Sequence, residues 1–348
     1  MNSVIKEDLE SIVSVKLPWD KLEGKNILIT GANGFLPSYL IETILFLNDY
    51  RFKKKAKVFA LGRSKERVLR RFNHYKGRSD IQYIIQDVCT PVKSKAKFDF
   101  IIHAASQASP RYYGVDPVGT ITANTIGTAN LLNLAVKNKN AGFLFFSAGE
   151  VYGEIGNKAV PIKENISGSI DPMFLRSCYA EGKRAGENMC VSWSHQYGLP
   201  IKIVRFFHTY GPGMSLNDGR VFADFVSDIV SGRNIKMKSD GSAVRSFCYL
   251  ADATVAFFTV LLKGENGQAY NIGNEEGNIS IVNLAHMLVK LFPEKRLRVE
   301  TIQKIAKDGY IKSIFAYLCP DTSKLRKLGW KAHYSLEEGF RRTVRSFL

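Results

Sequence analysis

Short runs of apolar residues alternate along the chain with longer segments in which apolar and polar residues mix. The apolar runs predict buried strands, because a strand in a parallel sheet is covered on both faces, and the mixed segments predict helices. The strands recur at intervals of roughly 20–30 residues, which is typical of a parallel, doubly wound sheet. They are predicted at residues 26–30, 57–61, 82–88, 98–106 and 143–147. The pattern therefore predicts an α/β fold.

The composition is that of a globular protein with one large domain or two lobes. The chain has 348 residues, 45% of them hydrophobic, which is enough to bury a large core. Its five cysteines are scattered and include no C-x-x-C pair, so we expect reduced thiols, a cytoplasmic protein and no metal site. The first ten residues are too charged for a secretory leader, and no run approaches about 18 apolar residues. We therefore expect neither export nor a membrane span.

The chain is strongly basic, with a formal net charge of +17 at pH 7. Such a charge attracts polyanions, and nucleic acid is the first partner to consider. Outside two local clusters, at residues 53–55 and 67–71, the lysines and arginines are interspersed with acids. We therefore expect no nucleic-acid partner, and we expect the excess charge to attract a small dianionic substrate.

The first predicted strand leads through a glycine turn into an apolar helix over residues 35–47. In such a turn Gly31 permits a tight bend and Gly34 lets the backbone approach a pyrophosphate, which rests at the positive end of the helix. Pro37 stands where a third glycine is usual, and proline is tolerated in the first turn of a helix. The predicted cofactor contacts of this Rossmann-like turn are Gly31, Asn33, Gly34, Phe35 and Leu36.

A second candidate segment, residues 178–189, predicts a helix with Tyr179 and Lys183 four positions apart. Side chains at this spacing lie on one helix face, so the ammonium group can stabilise the ionised phenol and lower its pKa. A tyrosinate of this kind can act as a base near neutral pH. The same spacing also occurs on ordinary surface helices, so its meaning depends on the rest of the chain.

With the strand end at residues 147–153, these segments resemble the extended short-chain dehydrogenase/reductase family of NAD-dependent nucleotide-sugar epimerases, dehydratases and decarboxylases. The resemblance extends from about Gly24 to the last residues and includes Asn124 to Thr128, in a helix predicted over 120–136. It implies NAD, a nucleotide-diphosphate sugar as substrate, and a homodimer formed through a four-helix interface.

The resemblance also implies the division of the chain into parts. These are an N-terminal extension (1–23), a mainly dinucleotide-binding Rossmann domain (24–210) and a smaller, mainly sugar-nucleotide-binding lobe (211–348). Late segments of the lobe are candidates to return to the first domain.

Further cofactor contacts are expected at the ends of the second, third and fourth strands. Relatives place an acid after the second strand, where it binds the adenosine ribose. This chain has Arg63 there, which suits a 2′-phosphate, so NADP is an alternative to NAD. His103 is expected to be a core histidine. The other residues that the resemblance assigns to the cofactor are Asp87, Val88, Ala104, Ala105, Ser106, Asn124, Tyr179 and Lys183.

The strand end at residues 147–153 departs from the family pattern. Decarboxylases have S-T-S-E-V-Y-G there and dehydratases have S-T-D-E-V-Y-G, so the threonine that binds the sugar's C4 oxygen is Ala148 and the dehydratase's acid is Gly149. Glu150 remains, and its carboxylate can remove the acidified C5 proton of a 4-keto sugar. Ser147 supplies the lost hydroxyl only if the strand end shifts by one residue, because neighbouring strand residues face opposite ways.

Substrate contacts are expected mainly in the second half of the chain. Arg245 corresponds to an arginine that binds the substrate diphosphate, a task that suits a forked guanidinium. His208 replaces the family's usual asparagine, and Gly213 replaces an arginine of the decarboxylases. The implied substrate-binding residues are Glu150, His208, Arg220 and Arg245.

Residues 178–221 most resemble the UDP-glucuronate decarboxylases, so decarboxylation is the leading expectation. The alternatives are an NDP-hexose 4,6-dehydratase and then a 4-epimerase. All three reactions begin when Tyr179 takes the proton of the C4 hydroxyl and a 4-keto intermediate forms. A binding module without activity is a further alternative, against which the intact Tyr179 and Lys183 argue.

Overall fold

A seven-stranded parallel sheet forms the centre of the protein in a computed structural model that describes residues 1–139, 141–155, 160–301 and 317–348. In chain order, the strands are β1 (Asn26–Thr30), β2 (Lys57–Gly62), β3 (Ile81–Ile85), β4 (Phe100–His103), β5 (Gly142–Ala148), β6 (Ile201–Phe206), β7 (His208–Tyr210), β8 (Ile235–Met237), β9 (Val244–Tyr249), β10 (Gln268–Ile272), β11 (Asn278–Ser280), β12 (Val299–Thr301) and β13 (Tyr317–Leu318). The central sheet has the order β10-β6-β5-β4-β1-β2-β3. This order runs outward from β1 in both directions, so the predicted doubly wound α/β fold is confirmed.

Helices cover both faces of the sheet. They are α1 (Ser3–Ser14), α2 (Phe35–Tyr50), α3 (Lys65–Arg71), α4 (Pro110–Tyr113), α5 (Pro117–Asn124), α6 (Ile126–Lys137), α7 (Ser177–Tyr197), α8 (Val221–Val230), α9 (Leu250–Lys263), α10 (Ile281–Leu291), α11 (Ser323–Arg326) and α12 (Leu336–Arg345). Ile27 and Ile29 of β1 are buried with α1, α2 and α9, whereas Leu28 is buried with α6 and α7. Each such side chain contributes about 1.5–3 kcal/mol of hydrophobic stabilisation.

The helix predicted over residues 120–136 is two helices, α5 and α6, which meet at Thr125. The backbone of Thr125 has φ −113° and ψ −72°. Its hydroxyl donates to the Ile121 carbonyl, and the Thr128 hydroxyl donates to the Asn124 carbonyl. Hydroxyls that bond back to the preceding turn bend helices, so the threonines that the resemblance emphasised also account for the break.

The remaining strands belong to a second layer beyond β6. Strand β9 pairs with β7, β11 and β13, and β8 pairs with β12. The chain then returns, because β10 forms the edge of the central sheet beside β6. The domain boundaries predicted from the sequence remain a prediction.

The N-terminal segment packs on the body of the protein. Helix α1 contacts α2 and α9, and Trp19 is fully buried with its ring edge against Phe258, 5.1 Å between centroids. The described residues contain no helix long and apolar enough to cross a bilayer, and the five cysteines are free thiols.

Asp8 is the polar anchor of this segment. Its carboxylate is fully buried and accepts hydrogen bonds from the phenols of Tyr39 (3.0 Å) and Tyr249 (2.7 Å). Its other oxygen accepts from Arg342 of α12 at 2.7 Å. The network therefore connects the first and last helices to α2 and to the end of β9.

Asp8→Ala should lower the free energy of unfolding by about 3–5 kcal/mol, because it leaves the Tyr39 and Tyr249 phenols without their buried acceptor and removes one of the two carboxylates, Asp8 and Glu7, that pair with the partly buried Arg342. Lys6→Ala on the same helix is the control. Lys6 forms an exposed pair with Glu10 at 3.9 Å, so its loss should cost under about 0.5 kcal/mol. Urea unfolding measures both variants. Equal stability of the two variants would show that the hydrogen bonds of Asp8 do not stabilise the fold.

Candidate functional site

Most of the predicted cofactor and catalytic residues lie near the carboxyl ends of β1, β4 and β5, which are adjacent in the sheet. In open α/β sheets this edge forms the ligand-binding crevice. The turn into α2, the segment after β4 and the first turns of α7 all meet the same edge.

The turn between β1 and α2 is shaped by glycine. Gly31 has φ +69°, and a Cβ atom there would lie 2.9 Å from the Ala104 carbonyl oxygen and from Ala105 Cα. Gly34 precedes α2, and no side chain caps the helix. The amides of the first turn are thus left to an anion, which the helix dipole favours. Phe35 and Leu36 begin the helix, so these residues fit the pyrophosphate of a dinucleotide.

His103 is a core histidine with both ring nitrogens used. Nε2 lies 3.2 Å from the Ala123 carbonyl, which can only accept, so Nε2 holds the proton. Nδ1 then accepts from the Thr30 hydroxyl at 3.0 Å, and that oxygen accepts the amides of Ala104 and Ala105. Burial lowers the pKa of His103 to about 3. The neutral imidazole therefore fixes the segment that contacts the glycine turn.

Arg63 and Asp87 meet at the ends of β2 and β3. Their charged groups are 3.7 Å apart and largely exposed. Asp87 lies two residues beyond the end of β3, where its carboxylate also accepts the Cys89 amide at 2.8 Å. Val88 packs on α6, where a Cβ at Gly127 would lie 2.7 Å from it. Arg63 is thus already paired with an acid, and a phosphate on the adenosine would have to compete with Asp87 for it.

Unpaired buried polar atoms mark the same crevice. In the described part of the chain, seven buried side-chain atoms have no hydrogen-bond partner, and four belong to predicted site residues. These four are Ser106 Oγ, Asn124 Oδ1, Ser147 Oγ and His208 Nδ1. Buried polar groups are normally satisfied, so their concentration here fits a site built to bond a ligand.

Tyr179 and Lys183 lie near the start of α7, both buried. The Lys183 ammonium donates to the Phe146 carbonyl at 2.5 Å and lies 5.7 Å from the centre of the Tyr179 ring. Burial lowers the pKa of Lys183 to about 7, opposed by the charges of Glu187 and Glu150. Burial, followed by Glu150, raises the pKa of Tyr179 well above its usual value.

The raised pKa of Tyr179 differs from the sequence expectation. The spacing predicts a phenol made acidic by Lys183, but both groups are withdrawn from water, and desolvation disfavours both charged forms. The charge that acidifies the phenol must therefore come partly from outside this pair.

Two glycines let α7 approach α5. A Cβ at Gly186 would lie 2.8 Å from the Asn124 carbonyl, and one at Gly182 would lie 3.2 Å from the Asn124 side chain. Asn124 donates to the Thr120 carbonyl at 2.8 Å and keeps its own oxygen unpaired. The close packing places this amide beside the Tyr179 helix.

The end of β5 keeps a regular register with β6 through Ser147 and Ala148. The pairing shows no bulge at this strand end, and the catalytic role of Ser147 stays a prediction. The Ala148 methyl packs against Tyr179 and Tyr113. Ala148, which has no hydroxyl, is thus the residue of this strand end that packs with Tyr179, and alternation puts Ser147 on the face where Phe145 contacts Lys183 and Gly186 of α7.

Sequence reasoning missed Tyr113. Its ring stacks on Tyr179 with 5.3 Å between centroids and 18° between planes, and its hydroxyl donates to the Ala108 carbonyl. Burial raises the pKa of both phenols, and the charge of Glu150 raises each further. The only signal in the sequence was an aromatic pair after the fourth strand.

The predicted substrate residues converge from the second layer. Arg245 is largely buried on β9, and its guanidinium bonds the Val244 carbonyl at 2.8 Å. Arg220 pairs with Asp218. Burial, followed by the charges of Arg245 and Arg220, lowers the pKa of His208. The charge of Arg220 also opposes the raised pKa of Tyr179, so this arginine acts on both the imidazole and the phenol.

The space beside Gly213 is filled by Arg71 of α3. A Cβ at Gly213, where φ is +79°, would lie 2.7 Å from the Arg71 guanidinium. The same guanidinium donates to the Ser38 hydroxyl of α2 at 2.7 Å. A cation from another part of the chain thus lies where the decarboxylase pattern has an arginine.

A sequence profile of the NAD dependent epimerase/dehydratase family matches residues 27–273. UDP-glucuronic acid decarboxylase 6 of Arabidopsis thaliana is 33% identical over 90% of this chain and 86% of its own. UDP-glucuronic acid decarboxylase 1 of Danio rerio is 33% identical over 93% of this chain and 72% of its own.

Solved structures are similar in fold. UDP-glucose 4-epimerase from Thermotoga maritima has a TM-score of 0.77 and 25% identity, over 92% of this chain and 98% of its own. dTDP-glucose 4,6-dehydratase from Bacillus anthracis, solved with NAD, has a TM-score of 0.75 and 20% identity, over 93% and 96%. The profile spans most of the chain and the relatives cover nearly all of it, so the protein belongs to the NAD dependent epimerase/dehydratase family.

Proposed function

We propose that the protein decarboxylates UDP-glucuronate through a 4-keto intermediate. The observation that carries this proposal is the similarity to UDP-glucuronic acid decarboxylases over about nine-tenths of the chain. The site supports it, because Lys183 lies 5.7 Å from the centre of the Tyr179 ring and the charges of Glu150 and Arg220 act on the same phenol.

Tyr179 is the base for the C4 hydroxyl, and Lys183 holds its helix against β5. When bound, a nicotinamide dinucleotide supplies the reversible oxidation at C4; Gly31, Gly34 and Asn124 are the residues that would hold it. The buried Tyr179 phenol would lose its proton more readily beside the positive charge that the oxidised cofactor would bring.

A 4-keto uronate is a β-keto acid. Its C5–C6 bond breaks with release of CO2, the electron pair passes to the C4 oxygen as an enolate, and a proton returns to C5. Glu150 faces this region and is the residue that orients the carboxylate or returns the proton. Arg245, with Arg220, binds the diphosphate.

A 4,6-dehydratase is the second candidate, because Glu150 is also the residue that a C5 proton abstraction needs. Gly149 stands where dehydratases have a second acid, which favours decarboxylation. A 4-epimerase would use Tyr179 alone.

The choice of cofactor, the compartment and the oligomeric state are proposed from the same family resemblance. NAD is the proposed cofactor and NADP the alternative, since Arg63 has Asp87 within 3.7 Å and can bond a 2′-phosphate only in competition with it. We propose a cytoplasmic homodimer that pairs α6 and α7, on which Ile126 and Val191 are about half exposed.

Tyr179→Phe should abolish oxidation at C4, because the ring keeps its stack on Tyr113 but loses the proton acceptor. Glu150→Gln should still reduce the cofactor while CO2 release falls, and the deuterium entering at C5 should fall in proportion, because each decarboxylation places one solvent proton there. The assay offers UDP-glucuronate, UDP-glucose and dTDP-glucose and follows cofactor absorbance, CO2 and C5 deuterium together. Wild-type turnover by Tyr179→Phe contradicts the mechanism, and a 4-keto-6-deoxy product without CO2 replaces the decarboxylase by the dehydratase.

Arg245→Ala should weaken UDP binding by about 2–3 kcal/mol, roughly 30- to 150-fold, because a forked cation is removed from a desolvated dianion. Arg233→Ala is the matched control, since Arg233 is an exposed arginine paired with Asp228 in the same layer. Titration calorimetry measures both variants. Unchanged affinity in Arg245→Ala would make the residue structural.

Extraction of the purified protein followed by mass spectrometry should recover NAD, because the glycine turn and the uncapped α2 bind the pyrophosphate. Recovery of NADP, lost selectively in Arg63→Ala, would assign the 2′-phosphate to Arg63. If neither dinucleotide is recovered and neither binds on addition, the dehydrogenase mechanism is wrong.

A further inference from the structure

The turn Gly149–Tyr152, which contains Glu150, is joined to α7 by one arginine. Arg184 donates through Nε to the Val151 carbonyl at 2.7 Å and through a terminal nitrogen to the Gly168 carbonyl at 2.7 Å. The fork therefore joins the turn and the following segment to the helix of Tyr179.

The rest of the turn is fixed by its own backbone. The Glu150 carbonyl accepts the Gly153 amide at 3.1 Å, and the Tyr152 carbonyl accepts the Gly168 amide at 2.7 Å. Three successive carbonyls are thus satisfied, and for the middle one the donor is the Arg184 side chain.

Glycine makes this approach possible. Gly153 has φ +65°, and a Cβ there would lie 2.9 Å from the Arg184 guanidinium and 2.3 Å from the Ser169 carbonyl oxygen. The absence of a side chain at Gly153 therefore leaves room for the Arg184 guanidinium.

A second arginine, Arg205 of β6, contacts the same turn. Arg205 forks onto the Glu187 carboxylate at 2.9 and 2.6 Å and bonds the Tyr152 hydroxyl at 3.1 Å. Glu187 lies one helical turn after Lys183, so the turn and α7 are also joined at a second point.

We propose that Arg184 is a positioning residue that holds Glu150 in the place from which it acts on the 4-keto intermediate. The proposal rests on the proposed function, which assigns Glu150 to the step after C4 oxidation. Tyr179 is placed separately, by the Lys183–Phe146 bond and the packing of α7 on α5. Loss of Arg184 should therefore slow the second step and spare the first.

Arg184→Met keeps an unbranched apolar stem and removes both donors. With UDP-glucuronate and the holoenzyme, cofactor reduction in a single turnover should stay within about twofold of wild type, while CO2 release falls by about tenfold, since a displacement near 1 Å costs up to about a hundredfold. Arg184→Lys should recover part of the loss. Arg341→Met is the control, because Arg341 also donates to a carbonyl, that of Leu291 at 3.2 Å, in another part of the fold.

A double-mutant cycle separates positioning from general stability. If Arg184 acts through Glu150, adding Arg184→Met to Glu150→Gln should change CO2 release by less than about twofold, whereas independent effects multiply. If Arg184→Met does not fold, Arg184→Gln, which keeps one donor, replaces it in the cycle.

Multiplying effects, or equal losses in cofactor reduction and CO2 release, would overturn the positioning role while the proposed function stands. A wild type that oxidises none of the sugars would remove the proposed function, and this inference with it.

Discussion

The bond from the Lys183 ammonium to the Phe146 carbonyl sets the geometry of the whole crevice. The bond holds the buried Lys183 ammonium against the end of β5, and so it fixes the distance between α7 and the sheet. Gly182 and Gly186 then bring α5 close enough for Asn124 to lie beside Tyr179. The burial that makes the arrangement rigid also disfavours both charged forms, which is why the protein alone leaves the phenol protonated. Chemistry at this tyrosine therefore depends on charge brought by a ligand.

Much of the dinucleotide-binding half could be predicted from the sequence, because its determinants are local. A buried strand, a glycine turn and a helix follow one another at residues 26–50, and each leaves its own pattern of apolar and small residues. The regular alternation at the end of β5 likewise places Ala148, whereas the role of Ser147 stays a prediction. The tyrosine–lysine spacing identified α7 as the helix of the candidate site, but it could not show how deeply the two side chains are buried.

The features that could not be predicted are contacts between residues far apart in the chain. Arg71 reaches Gly213, Tyr113 stacks on Tyr179, and β10 returns to the edge of the sheet. In the sequence each is an ordinary arginine, tyrosine or apolar run. Arg184 could not be singled out, because it follows Lys183 directly and so lies on a different face of α7, where only the folded structure shows its carbonyl partners.

The network at Asp8 also has a consequence for synthesis of the chain. Asp8 and Arg342 are 334 positions apart, so at about 5–20 residues per second the ribosome releases the arginine roughly 20–70 s after the aspartate. Tyr39 is synthesised early and can donate to the Asp8 carboxylate, but Arg342, the counter-charge of Asp8, is the last of its partners to be synthesised. Helix α1 therefore reaches its final position only after residue 342 has been synthesised, and until then Asp8 lacks its arginine partner.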